Sequence, residues 1–182
     1  MRVVVVTPPT PAVTWEEADA HLRLGGDLGE KSYVERLIAA VTAILEGPDG
    51  WLGRAIGVQT LEARFSLLTV GSSIRLPFPP VVELVDVKYL DMAGAEQIAD
   101  LEDFDLIDDT LAPVDGGWVW EGGSLKREAG RVEYRAGYET VPAPIKAAIL
   151  IMVAELYEKR EMAATGISGA AADLLSPYRV YR

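Results

Sequence analysis

The chain has 182 residues, 49% apolar and 25% charged, a balance that supports a packed core and excludes a disordered chain. Its 28 acidic side chains outnumber 17 basic ones, and the formal net charge of -11 disfavours sequence-reading contact with DNA or RNA. With no cysteine and a single histidine, His21, it excludes disulfides, cysteine nucleophiles and thiolate-held metal, and a cytoplasmic site of synthesis fits.

The opening Arg2-Val3-Val4-Val5-Val6 is too short an apolar run for a signal peptide, and Pro8 and Pro9 end it. Residues 1–13 are expected to be an extended arm, because Pro8, Pro9 and Pro11 favour extended or irregular backbone. Thr14-Trp15-Glu16-Glu17 is a capping-box pattern that starts a short helix to about Leu24, with Trp15, Ala18 and Leu22 inward and Gly25-Gly26 as its stop. Ser32-Tyr33-Val34-Glu35 repeats the pattern. Tyr33, Leu37, Ile38, Val41, Ile44 and Leu45 then recur at helical spacing until Gly47-Pro48-Asp49-Gly50 ends that helix. Residues 51–56 suit one further turn.

From Val58 the period shortens toward that of a strand. Residues 74–76 form a short strand, and residues 81–90, rich in valine, form the clearest one. Asp91-Met92-Ala93-Gly94 turns the chain into a return arm at 96–98. Residues 104–107, 111–113, 118–120 and 131–138 complete a β-rich middle. Pro142 and Pro144 then open a long helix over about 144–163, as proline is tolerated where first-turn amides have no helical partner. That helix carries two apolar stripes, one of Ile145, Ile149, Met152 and Leu156 and one of Ala147, Leu150, Ile151 and Ala154, which suits a central or subunit-shared position. No apolar run is long enough to span a bilayer.

The expected fold is α+β: a mainly helical core of two N-terminal helices and one long C-terminal helix, a β-rich insert, and an extended C-terminal tail. In residue terms, the main domain is 14–165, with helical core 14–56 and 142–163 and insert 57–141. Residues 166–182 are linker and tail.

Few residues carry chemistry. His21 has no nearby partner for general-base work and reads as an ordinary helix-end histidine. Asp100, Glu102, Asp103, Asp105, Asp108 and Asp109 could hold a hard cation, but they lack the calcium-loop spacing and read as a solvated loop. Gly116, Gly117, Gly122 and Gly123 around Trp118 and Trp120 match no phosphate-binding fingerprint. There is no nucleophile elbow, so no catalytic, cofactor or metal residue is assigned. The last seven residues stand apart: Arg179 and Arg182 with no acidic side chain, beside Tyr178, Val180 and Tyr181. Such a segment suits either a clasp on a partner or packing on its own domain.

One ordered set of motifs has no catalytic content. Val132-Glu133-Tyr134-Arg135-Ala136-Gly137-Tyr138 meets Val141-Pro142-Ala143-Pro144-Ile145, and a long helix follows that ends in Tyr157-Glu158-Lys159-Arg160. Upstream stand Val13 to Ala18 with His21-Leu22-Arg23, Leu37 to Val41, and Ile74-Arg75-Leu76-Pro77-Phe78-Pro79-Pro80-Val81 leading into Val85 to Asp91. Leu174 to Val180 closes the set. In order and spacing the chain resembles the head–tail connector (adaptor, head-completion) proteins of tailed bacteriophages, also found in prophages and gene transfer agents. It departs from their pattern at residues 47–56, where Gly-Pro-Asp-Gly intervenes.

The resemblance implies a structural protein of the particle neck, made in the host cytoplasm, rather than an enzyme. It implies a ring of about twelve copies closed by head-to-tail contacts beneath the portal protein. Such a ring extends the DNA channel, through which DNA passes without sequence-specific binding, and receives the next neck or tail protein. No membrane or cofactor is implied. Under this reading Pro177, Tyr178, Arg179, Val180, Tyr181 and Arg182 contact the portal, and Lys146, Leu150, Glu158 and Arg160 contact the neighbouring subunit. The alternatives are a later neck component, such as a stopper or tail-completion protein, and a metal-dependent enzyme built on the acidic cluster at 100–109.

Overall fold

The computed structural model describes residues 1–47, 50–69, 71–120, 123–159, 167 and 169–181. In chain order the elements are β1 (Arg2–Thr7), α1 (Trp15–Leu22), α2 (Leu28–Leu45), β2 (Gln59–Phe65), β3 (Ile74–Arg75) and β4 (Val81–Leu90), then β5 (Glu96–Ile98), β6 (Phe104–Ile107), β7 (Thr110–Pro113), β8 (Gly130–Ala136), α3 (Ala143–Lys159) and α4 (Gly169–Leu175). They fall into two compact units. A β unit comprises Met1–Pro9 and Val58–Gly137, and a helical unit comprises Thr10–Gly57 and Tyr138–Arg182. The α+β class is the expected one.

In the helical unit the Thr14 capping box forms as its sequence dictates: Thr14 Oγ1 accepts the Glu17 N–H at 3.3 Å and the Glu17 carboxylate accepts the Thr14 N–H at 2.9 Å. α1 ends earlier than the Gly25-Gly26 pair, at Arg23, whose φ of 60° turns the chain left-handed. α2 starts ahead of the Ser32 pattern because Asp27 caps it first, its carboxylate accepting the Gly29 N–H at 2.9 Å. α2 buries Val34, Ile38, Val41 and Leu45, and α3 buries Ile145, Ala148, Ile149, Met152 and Val153. Together with Trp15, Ala18, Leu52, Ile56, Ala171 and Leu175 these form one apolar cluster. The second stripe of α3 is half-buried, and α4 packs along that helix.

The β unit holds an antiparallel five-stranded sheet, order β1-β2-β8-β4-β5, and a three-stranded sheet, order β3-β7-β6. Period-2 alternation sets the face that turns inward: Leu61, Ala63 and Phe65 of β2 lie opposite Tyr134, Val132 and Gly130 of β8. The fully buried Tyr134 donates its hydroxyl to the Pro77 carbonyl at 2.6 Å, and Trp120 touches rings from both sheets, Phe65, Tyr89 and Phe104. No helix of the described residues is long and apolar enough to cross a membrane.

Three expectations are corrected. Residues 1–13 are not a free arm, because Arg2–Thr7 pairs antiparallel with β2 as an edge strand: four consecutive valines favour a sheet. Residues 118–120 are not a strand, because Trp118 and Trp120 stack on each other at 4.4 Å and 14° instead of entering a ladder. The C-terminal segment is not an extended tail. Residues 169–175 are helical, with Ala171 and Leu175 buried, and Ser176–Tyr178 adds a 3-10 turn.

Candidate functional site

The sequence-derived tail residues are held on their own unit. The Arg179 guanidinium lies 4.3 Å from the Trp51 ring and 4.9 Å from the Tyr181 ring. The Val180 N–H donates to the Leu52 carbonyl at 2.8 Å, and Arg54 Nε donates to the Tyr178 carbonyl at 2.7 Å. Arg54 Nη1 also donates to the Tyr138 hydroxyl at 2.6 Å, and burial pushes that phenol above its usual 10.0. Gly53 makes the close approach feasible: its φ is +64°, and a Cβ there would stand 2.8 Å from the Val180 carbonyl oxygen. Pro177 and Tyr181 remain exposed, and Arg182 lies outside the described residues.

The loop that receives the tail is braced from within. Glu46 is buried, and its Oε1 accepts the N–H groups of Ile56 at 2.6 Å and Gly57 at 3.2 Å. Charge-assisted hydrogen bonds from two backbone amides satisfy that oxygen. Residues 51–54 and Glu46 carried no signal at the sequence level beyond the glycines around them.

The four residues expected at a subunit contact do not share one condition. Lys146 Nζ donates to Glu17 Oε1 at 2.7 Å. This ammonium, with the Thr14 N–H second, holds the Glu17 carboxyl below its usual 4.5. Leu150 is half-buried against its own unit's core, Glu158 is exposed, and Arg160 lies outside the described residues.

Part of the acidic run serves local structure. Asp100 caps a short 3-10 turn by accepting the Glu102 N–H at 3.0 Å, Asp108 sits at a φ of 55° in the β6–β7 turn, and Asp109 accepts from Arg75 Nε at 2.8 Å. Among the described residues no three histidine, aspartate or glutamate side chains converge as a metal site. His21 is exposed on the last turn of α1.

A feature the sequence did not signal lies in the β unit. An open groove of about 600 Å³ is lined by Arg2, Arg64, Arg75 and Arg127, with Glu128 as the carboxylate in its wall. These arginines are far apart in the chain, so no local motif reveals them. Sheet register explains part of the cluster. Arg2 lies opposite Arg64, Arg64 opposite Arg131, and Arg131 opposite Lys88, a row of cations across four strands. Like charges directly opposite one another destabilise a sheet. Carboxylates offset the repulsion: Glu128 lies 3.7 Å from Arg2, Glu96 lies 3.1 Å from Arg131, Asp86 lies 2.7 Å from Lys88, and Glu62 pairs with Arg64.

No protein-family model matches the chain, and no curated protein matches it in sequence. Solved structures do share its fold. A chain in the virion of a native gene transfer agent particle has a TM-score of 0.72 at 22% identity, covering 100% of this chain and 97% of that one. A chain in the neck of an empty gene transfer agent particle, computed with C6 symmetry, has a TM-score of 0.71 at 20% identity with the same coverage. One in the neck of a native particle, computed with C12 symmetry, has a TM-score of 0.67 at 20% identity and also covers 100% and 97%. At these identities the likeness is one of fold.

Proposed function

We propose that the chain is a structural protein of the neck of a tailed-phage or gene transfer agent particle. In this reading it is the adaptor: a ring of copies beneath the portal that prolongs the DNA channel and joins capsid to tail. The observation that carries the proposal is the end-to-end likeness of fold to chains of gene transfer agent particles, in which both units take part and neither chain has a large unmatched piece. The ordered connector-like motifs of the sequence support the same reading independently. The role is assembly rather than catalysis.

A ring of about twelve copies would use two different patches of each subunit, one meeting the other on the next copy. Within the proposal, the segment at 177–182 faces the portal. Its exposed members, Pro177 and Tyr181, are available while Tyr178, Arg179 and Val180 are held on residues 51–54. The exposed end of α3, with Glu158, faces a neighbouring subunit.

Order of addition separates the adaptor from a later neck component. The protein is sedimented with isolated cognate portal rings, and separately with portal rings already carrying the next neck protein. Co-sedimentation with bare portal rings is the expected result. Binding only to the occupied ring would assign the chain to a stopper or tail-completion role instead.

A further inference from the structure

We infer that the arginine-lined groove of the β unit receives the acidic β6 edge of the same unit in a neighbouring copy. The inference rests on the ring reading and names the surfaces that would meet.

Charge in this chain is segregated. Residues 89–125 contain ten aspartates and glutamates and no lysine or arginine, nearly the whole of the net charge of -11. The rest of the chain is close to balanced, and within the β unit it supplies the four arginines of the groove. One molecule therefore carries a cationic groove and an anionic segment.

The groove has donors to spare. A guanidinium offers five N–H groups. Arg64 and Arg75 each give their Nε to a carboxylate, Glu62 and Asp109. Glu128 stands 3.7 Å from Arg2 and 3.9 Å from Arg64, and Arg127 is exposed with no carboxylate within 4 Å among the described residues. The partner such a surface takes is an acceptor-only group with several oxygens, and carboxylates suit the planar fork of arginine. The Arg75–Asp109 pair at 2.8 Å displays that chemistry within one copy.

Topology places the two surfaces apart. In the sheet order β3-β7-β6, the groove borders β3 through Ser73, Ile74 and Arg75, while Asp105 lies on β6 at the opposite edge. Exposed Glu102 and Asp103 lead into that strand. Two strand spacings, about 10 Å, separate the edges. Opposite charge at opposite edges is the arrangement a head-to-tail contact needs, since each copy then offers one surface of each sign. Duplex DNA also bears repeated oxygens, but the net charge of -11 disfavours it.

Two full-length variants test this: Arg2→Glu with Arg127→Glu, which reverses the groove, and Glu102→Arg with Asp105→Arg, which reverses the edge. All four positions are exposed, and circular dichroism establishes that each variant folds. Self-association is read by sedimentation velocity on free protein, and layer formation is read on cognate portal rings. Each variant alone is expected to associate at least tenfold more weakly than wild type. An equimolar mixture is expected to recover, because the reversed groove of one meets the reversed edge of the other. Wild-type association is expected to weaken with added salt.

Variants that associate as wild type does, or a mixture that fails to recover, overturn the inference and leave the neck reading intact if wild type still layers on the portal. Absence of a wild-type layer counts against the adaptor reading. Free wild type that then shows no concentration-dependent association overturns the inference as well. Retention of a short DNA duplex by wild type but not by the groove variant would reassign the groove to phosphate.

Discussion

Glu46 illustrates how one residue organises a loop. Its carboxylate is buried between the end of α2 and residues 56–57, where it takes two backbone N–H groups. Alanine there would leave buried donors unsatisfied, so Glu46→Ala is expected to lower stability by about 1–3 kcal/mol, read as a lower midpoint in chemical denaturation. An unchanged midpoint would mean that the loop has another brace. Gly57 next to it admits no side chain, since a Cβ would stand 2.0 Å from the Thr10 carbonyl oxygen. Glu17 gives a pH dependence. Its folded pKa lies below the usual 4.5, so the stability it contributes is complete above that value and is lost as pH falls through the depressed one. Lys146→Met is therefore expected to cost about 0.5 kcal/mol at neutral pH, the scale of a partly exposed pair. The difference from wild type should vanish in acid. A gap that persists after Glu17 is protonated would assign the effect to packing of the lysine stem.

At the scale of elements, sequence reasoning recovered what local chemistry decides. The Thr14 capping box, the valine-rich β4, the 91–94 turn and the long apolar α3 each follow from neighbours in the chain. What it missed depends on residues far apart. The Val3 to Val6 run reads as part of an extended arm, because its partner strand begins at Gln59, more than fifty residues on. Residues 176–181 could be seen as basic and aromatic, but not that Trp51, Gly53 and Arg54 would receive them. The arginine groove draws on positions 2, 64, 75 and 127, which no window of sequence brings together. The tail contact has its own test. Gly53→Val puts a side chain against Val180, and the strain of a branched residue at positive φ adds to the clash. Trypsin should then cleave after Arg179 several-fold faster than in wild type, with the helical core unchanged by circular dichroism. Equal cleavage rates would mean that the tail is held mainly by Arg179 on Trp51.

At the scale of the molecule, the fold is shared end to end with chains of gene transfer agent particles, and the proposed role is one of contact. The exposed Tyr181 and Pro177, the exposed end of α3 and the charged edges of the β unit are the surfaces that the proposal assigns to neighbours. Removing residues 176–182 is expected to abolish portal binding, and the helical unit should also lose some stability because those residues pack on it; binding that survives the deletion would move the portal contact elsewhere. The most direct test of the central claim is negative-stain electron microscopy of the purified protein mixed with cognate portal rings, beside each component alone. An added layer of density on the outer end of the portal is the expected result. Bare portals in the presence of folded protein would contradict the adaptor assignment.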